Sequence, residues 1–230
     1  MRKGRMILGI DEAGRGCVIG PMVVCGVVLE EGVIPKLKAE GVKDSKVLTP
    51  ATRQFLAQKI ANVAEGVFIE EIPPSEIEER NLNLLEIWRI ARIISRAKAD
   101  LVYLDAPVAG EKGIKVFCDH IARHLRENCP RIIAENRADA TYVVVGAASI
   151  VAKVRRDEII EELKRELGDF GSGYPSDEKT QKFLRDYYKK ERSFPDCVRR
   201  RWKTVRRLTE PVQAFLPFAN EEPRPPQEQR

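Results

Sequence analysis

Four carboxylates stand where short apolar runs give way to turns. Asp11 and Glu12 follow Met6–Ile10, Asp105 follows Leu101–Leu104, and Asp139 lies beyond Arg131–Ala134. In an open α/β sheet, ligands gather outside the carboxyl ends of the strands. Four carboxylates meeting there repel one another unless cations neutralise them. Oxygen-only ligands in an open, hydrated site suit Mg²⁺ or Mn²⁺ better than zinc. Two such ions roughly 4 Å apart are a common apparatus for in-line attack of water on a phosphodiester. Adjacent strand residues face opposite ways. Asp11 and Glu12 are therefore expected to share a site only where the strand breaks, and Ala13-Gly14 offers that turn. The other reading stays open. Acids at strand ends also cap helices and start turns, and Asp139 could be only an N-cap.

The segment G-I-D-E-A-G-R-G at Gly9–Gly16 is rich in glycine but is not a triphosphate loop. Arg15 and Gly16 stand where that loop needs Lys and then Ser or Thr, and Asp11 and Glu12 would face the phosphates. Gly14 and Gly16 could instead let backbone amides approach a substrate closely, or simply form a tight turn. His120 and His124 are spaced i, i+4, but no Glu follows His120 and basic residues surround the pair, so a solvated helix face is expected. Five scattered cysteines without a C-x-x-C pair argue against a disulfide framework and a zinc ribbon.

Apolar runs at Met6–Ile10, Met22–Leu29, Val67–Ile72, Leu101–Leu104 and Arg131–Ala134 predict strands. Helical spacing predicts helices over Pro50–Ala64, Leu84–Ala97 and Gly113–Arg126, and a long helix through Ala147-Ala148 to Glu166. Strands first, then strands alternating with helices, predict an α/β fold with a mixed sheet. Two basic helices, Asp177–Lys190 and Asp196–Arg207, should follow the glycine-rich boundary Gly168–Pro175. The expected division is a catalytic domain over 1–168, a basic helical extension over 169–218 and a disordered tail over 219–230.

The chain has 230 residues, 43% hydrophobic and 33% charged, which excludes wholesale disorder and a collagen-like chain. Its apolar stretches are too short to span a bilayer or form a signal peptide, so a cytoplasmic protein without membrane contact is expected. Residues 179–207 hold 12 Lys/Arg against three acids, a net of +9 within a chain total of +5, so the remainder carries −4. An acidic body with a basic extension suits a polyanionic partner, and equally a solvated helix pair.

Seven motifs in order resemble the ribonuclease HII family, the type 2 ribonucleases H, over about residues 6–208. They are G-I-D-E-A-G-R-G at Gly9–Gly16, G-P-M-V-V at Gly20–Val24, D-S-K at Asp44–Lys46, L-D-A at Leu104–Ala106, A-E-N-R-A-D-A at Ala134–Ala140, A-A-S-I-V-A-K-V-R-R-D at Ala147–Asp157 and G-S-G-Y-P-S-D at Gly171–Asp177. The last motif and R-x-W-K-T resemble the archaeal branch. The resemblance implies a ribonuclease H-like mixed sheet flanked by helices, with a C-terminal helical extension. It implies hydrolysis of the RNA strand of RNA–DNA hybrids, including single ribonucleotides embedded in DNA, giving 5′-phosphate and 3′-hydroxyl ends. By motif, Asp11, Glu12, Asp105 and Asp139 would be catalytic and hold two Mg²⁺ or Mn²⁺ ions. Gly14, Arg15 and Gly16 would contact the 2′-hydroxyl and the scissile phosphate. Tyr174 would stack on the sugar at the DNA–RNA junction, and Lys46, Ser149 and Lys153 would contact backbone phosphates.

Two positions depart from the family pattern. Val143 stands where a proline is common, and Arg201 where a small residue is expected before Trp202. Two rival functions remain on the residues alone: a DNA-cutting nuclease of the same fold, and a non-catalytic nucleic-acid-binding module. The G-R-G turn and Tyr174 argue against the first, and the acidic cluster against the second. A monomer is expected. Gln213–Phe218, Q-A-F-L-P-F, loosely matches a sliding-clamp motif with altered spacing.

Overall fold

Five strands form one mixed sheet, ordered β3-β2-β1-β4-β5, in the computed structural model, which describes residues 4–42, 48–125 and 129–209. β1 (Met6–Ala13), β2 (Met22–Glu30) and β3 (Gly66–Ile72) form an antiparallel meander. β4 (Leu101–Asp105) and β5 (Arg131–Glu135) join in parallel on the other side of β1. The expected mixed sheet flanked by helices is what the chain forms. Lys46, Gln213–Phe218 and the expected tail over 219–230 lie outside the described residues.

The central strands are almost wholly apolar because helices cover both faces of the sheet. α1 (Ile34–Ala39), α2 (Pro50–Val63) and α7 (Val143–Leu167) cover one face. α3 (Pro74–Glu79), α4 (Leu82–Ala97) and α5 (Glu111–Leu125) cover the other. Ile7 and Ala13 of β1 pack toward α7, whereas Leu8 and Ile10 pack toward α4 and α5. That alternation fixes where the next residues point. Asp11 shares the α7 face and Glu12 the α4 face.

β1 is longer than its apolar run. It continues through Asp11, opposite Cys25, and Glu12, opposite Val24, to Ala13, opposite Val23. The turn expected to bring the two acids together begins after them, at Gly14. Pairing with β2 extends the strand, and that contact has no local signature. At Gly9 an added Cβ would collide with the Val144 backbone, so glycine lets α7 lie directly on β1.

The short helix α6 (Ala138–Thr141) precedes α7. Val143 is the first residue of α7, the position where proline is favoured because its missing N–H costs nothing there. Valine takes that place here, with the helix beginning at it.

A third apolar cluster joins Val18 and Ile19, Ile160 of α7, Phe170, Leu184, Phe194, Val198 and Val205. α8 spans Glu178–Glu191, close to the expected Asp177–Lys190, and Asp177 caps it by accepting from the Lys179 N–H. The second basic helix is shorter than expected: α9 spans Lys203–Thr209. Upstream of it, Val198 bridges Ile19, and the Arg199 N–H donates to the Val18 carbonyl at 2.8 Å. Backbone groups engaged by a distant segment cannot make helical bonds. Among the described residues all five cysteines are free thiols, and no helix is long and apolar enough to cross a membrane.

Candidate active site

Parallel pairing of Ile10 with Leu104 carries Asp11 and Asp105 to adjacent strand ends. The loop after β5 brings the third acid. Asn136 donates its side-chain amide to the Ala106 and Val108 carbonyls at 2.7 and 2.8 Å, tying that loop to the one after β4. Arg137, at φ 59°, donates its backbone N–H to Asp105 Oδ1 at 2.9 Å. A non-glycine residue in the left-handed region is held there at some cost, and here the conformation presents a donor to Asp105. Asp139 sits in the first turn of α6, where Arg137 occupies the cap position. Its own carboxylate accepts from the Ala140 N–H at 3.1 Å.

The result is a cluster of Asp11, Asp105 and Asp139 with one carboxylate oxygen of each within 4.8 Å of the others. Asp11 is 6% and Asp139 2% exposed. Burial is the main cause that drives the Asp11 carboxyl well above its usual range, and the charges of Glu12 and Asp105 add to it. Hydrogen bonds from Ser149 and from the Glu12 N–H at 2.7 Å oppose that rise. Like charges gathered and half-desolvated in this way fit a divalent cation, and the all-oxygen donor set suits a hard one.

Glu12 leaves β1 on the α4 face, yet its carboxyl still bonds that of Asp11 and feels the charge of Asp105. Burial, then the charge of Glu86, push it up to about 8, and Arg15 opposes the shift. Glu86 is 1% exposed and is itself pushed to about 7, chiefly by burial. Arg15 extends its guanidinium to Glu86 and to the side-chain carbonyl of Asn83. Both lie in the first turns of α4, which Asn81 caps through the Asn83 and Leu84 N–H groups. Glu86 is a site residue that the sequence reading missed. Its signal was a charge on the apolar stripe of Ile90, Ile93 and Ile94.

The G-R-G segment is a tight turn in which the Cys17 N–H reaches the Gly14 carbonyl at 3.3 Å. Gly14 has φ +80°, and an added Cβ would lie 2.8 Å from the Pro21 carbonyl oxygen. Gly16 is different: nothing lies within 4 Å of where its Cβ would be. The fold requires glycine at the first position and leaves open space at the second.

Tyr174 stands beside this turn. Its hydroxyl bonds Cys17, and burial is the first cause that raises it to about 12. Its ring has Arg156 and Lys153 at 5.0 and 5.6 Å from the centroid. Lys153, Arg156, Arg53 and Tyr174 line a groove of about 650 Å³. Arg156, 3% exposed, links Cys17 Sγ at 3.0 Å to the Ser172 carbonyl. Its signal was an i, i+4 continuation of Ala148 and Ala152. Ser149 is buried beneath the aspartates with its hydroxyl toward Asp11.

The chain matches the family model described as Ribonuclease HII over residues 8–205. It is 50% identical over 210 residues to the ribonuclease HII of Pyrococcus furiosus, covering 90% of this chain and 92% of that protein. The crystal structure of ribonuclease H2 from Pyrococcus horikoshii OT3 superposes with a TM-score of 0.82 at 42% identity, covering 89% of this chain and 97% of that one. The ribonuclease HII of Archaeoglobus fulgidus, solved in a complex with PCNA, gives 0.77 at 39% identity, covering 90% and 98%. Likeness of this extent, in sequence and in the arrangement of the whole sheet, settles the relationship: this chain belongs to the ribonuclease HII family of type 2 endoribonucleases H.

Proposed function

We propose that this chain hydrolyses the RNA strand of RNA–DNA hybrids and also cuts at a single ribonucleotide embedded in duplex DNA. Cleavage would use a two-cation site and leave 5′-phosphate and 3′-hydroxyl ends. The observation that carries this reading is the aspartate cluster, three oxygens within 4.8 Å, at the end of the strand that leads into the open G-R-G turn. Asp11, Asp105 and Asp139 would hold divalent cations, with Glu12 contributing from the other face of β1. When bound, Mg²⁺ or Mn²⁺ supplies charge neutralisation and acidifies the attacking water.

The chain's own groups then position the reactants. Ser149 orients Asp11, and the Arg137 N–H orients Asp105. The Arg15 and Gly16 amides lie where a sugar edge can approach, because no side chain intervenes at Gly16. RNA differs from DNA only by its 2′-hydroxyl on the sugar, so selectivity must rest on donors or acceptors aimed there. A site built for that hydroxyl leaves its partners unpaired on deoxyribose, which is how large ratios arise. The Tyr174 ring would pack against the sugar beside the cut, with Lys153 at a nearby phosphate. Neither histidine lies in a motif of the family pattern, so the proton lost by water would pass to solvent, a carboxylate or the substrate.

The test is a DNA duplex with one ribonucleotide, incubated with Mg²⁺, with Mn²⁺ and with chelator. Cation-dependent cutting on the 5′ side of the ribonucleotide is expected. Equal cutting of the all-DNA duplex would make this a DNA nuclease, and binding without cutting would make it a binding module. We extend the proposal to clamp recruitment through Gln213–Phe218, because the Archaeoglobus fulgidus relative was solved with PCNA. Loss of clamp binding on deleting residues 211–230 is the expected result.

A further inference from the structure

We propose that Arg199 is the positioning residue that turns the Arg15 and Gly16 amides toward the substrate and so sets discrimination between ribose and deoxyribose. The inference deepens the function proposed above and rests on it.

Arg199 comes from the basic run that the sequence assigns to solvent or phosphates, yet it is 0% exposed. Its Nε donates to the Gly20 carbonyl at 3.0 Å, Nη1 to the Arg15 carbonyl at 2.9 Å and Nη2 to the Gly14 carbonyl at 2.7 Å. Its backbone is fixed as well, through its own N–H to Val18 and through Gly20, whose N–H reaches the Cys197 carbonyl at 2.8 Å. The Trp202 ring lies 5.0 Å from the guanidinium. Among the described residues, no carboxylate pairs with Arg199. The desolvation of this cation is offset by carbonyl dipoles, and burial lowers its pKa to about 10. A turn that only needed its carbonyls satisfied could use neutral donors at lower cost.

Peptide geometry gives the arrangement its consequence. In a planar trans peptide the C=O and N–H point in opposite directions. The Gly14 carbonyl shares its peptide with the Arg15 N–H, and the Arg15 carbonyl shares its peptide with the Gly16 N–H. Fixing both carbonyls on the guanidinium aims both N–H groups away from it. Among the described residues neither N–H donates a hydrogen bond within the protein, and Gly16 borders open space. A cation on the carbonyl also polarises the peptide and strengthens its N–H as a donor. From the opposite side, Glu86 and Asn83 hold the Arg15 side chain. The turn is thus preset before substrate arrives, which is the condition for donors to discriminate without reorganising.

The experiment compares the full-length protein with Arg199→Lys and Arg199→Met, each checked for folding by calorimetry. Affinity is measured in chelator for a duplex with one ribonucleotide and for its all-DNA equivalent. The wild type should prefer the ribonucleotide by roughly tenfold, about what one added hydrogen bond contributes. Arg199→Lys keeps the charge but cannot bridge three carbonyls, so the preference should fall to about twofold or less with all-DNA affinity unchanged. Cleavage of the ribonucleotide duplex should drop about tenfold in kcat/KM. On the unmodified protein, the Arg15 and Gly16 amide resonances should shift with the ribonucleotide duplex and not with DNA. Unshifted amides, or a folded Lys variant with its preference intact, would overturn the proposal. Equal weakening on both duplexes with a shallower salt dependence would make Arg199 a phosphate contact instead. A wild type that cuts the ribonucleotide duplex but binds both duplexes equally also overturns it, and leaves the proposed function standing. A wild type that does not cut removes both.

Discussion

Asp11 lies near the end of β1 and the G-R-G turn follows that strand a few residues on, yet their surroundings are built on opposite principles. Around Asp11 the protein gathers like charges and buries them, and its carboxyl rises well above the usual range. In the turn, the Arg15 guanidinium meets Glu86 and Asn83, and the Gly14 and Arg15 carbonyls meet Arg199. One region is left to be completed from outside, and the other is finished by the fold. Substitutions should therefore move stability in opposite directions in the two places.

The largest effect belongs to the aspartates. Asp11→Asn, Asp105→Asn and Asp139→Asn should each slow cleavage of a hybrid by roughly a thousandfold, about 4 kcal/mol of transition-state stabilisation. Their melting temperatures in chelator should be unchanged or higher, because repulsion is relieved. Glu12→Gln, on the other face of β1, should cost about a hundredfold. Cleavage by Asp105→Asn near the wild-type rate in ordinary Mg²⁺ would break the comparison at its base.

Next comes pH. Burial and neighbouring charge lift Glu12 from 4.5 to about 8 and Glu86 from 4.5 to about 7. Between those limits the folded protein holds protons that the unfolded chain has released. Stability from these groups is thus complete below about pH 4.5 and lost as pH rises toward 8. Calorimetry in chelator should show the melting point falling from pH 5 to pH 8, and Mg²⁺ at pH 8 should restore it. A flat profile would mean that the acids are already neutralised within the protein.

The two glycines sharpen the contrast inside the turn. Gly14→Ala should destabilise by at least about 1 kcal/mol, from the positive φ and the contact with the Pro21 carbonyl. Gly16→Ala should melt like the wild type yet cut about tenfold more slowly, because its methyl group points where the sugar would sit. Equal melting losses in both variants would erase the distinction between a fold glycine and a substrate glycine.

Tyr174 gives the smallest expected change. Stacking on an aromatic ring is worth about 1–3 kcal/mol for a base, and a sugar contact belongs at the lower end. Tyr174→Ala should slow cutting at a single ribonucleotide by roughly tenfold. Tyr174→Phe should keep most activity and lose only the bond to Cys17, about 1 kcal/mol of stability. Equal activity in the two variants would return the ring to a purely structural role.

The sequence displayed the strands, the long helix and the acids because each leaves a local mark: an apolar run, a helical period, a charge where a run ends. It concealed what depends on partners far along the chain. β1 extends past Ile10 only because β2 pairs with it. Of Arg199, Arg200 and Arg201, the first is buried, the second pairs with Asp196 and the third reaches Glu78, and nothing in three consecutive arginines separates them. Glu86 was legible in principle, as a lone charge on an apolar helix face. The basic extension also proves to be more than a charged surface. Val198, Val205 and Trp202 are part of the third cluster, so removing the chain from Asp196 onward would take away core as well as charge.

The position of Arg199 in the chain has a consequence for biosynthesis. A polypeptide leaves the ribosome N-terminus first, and its segments fold as they emerge. The sheet and all four acids precede Gly168, so a nascent chain can assemble its acidic cluster while the residue that braces the turn is still held within the ribosome. Until Arg199 docks on Gly14, Arg15 and Gly20, such a chain would carry its reactive apparatus without the preset donors that choose the sugar. Selectivity would reach the growing molecule later than the acids that cut.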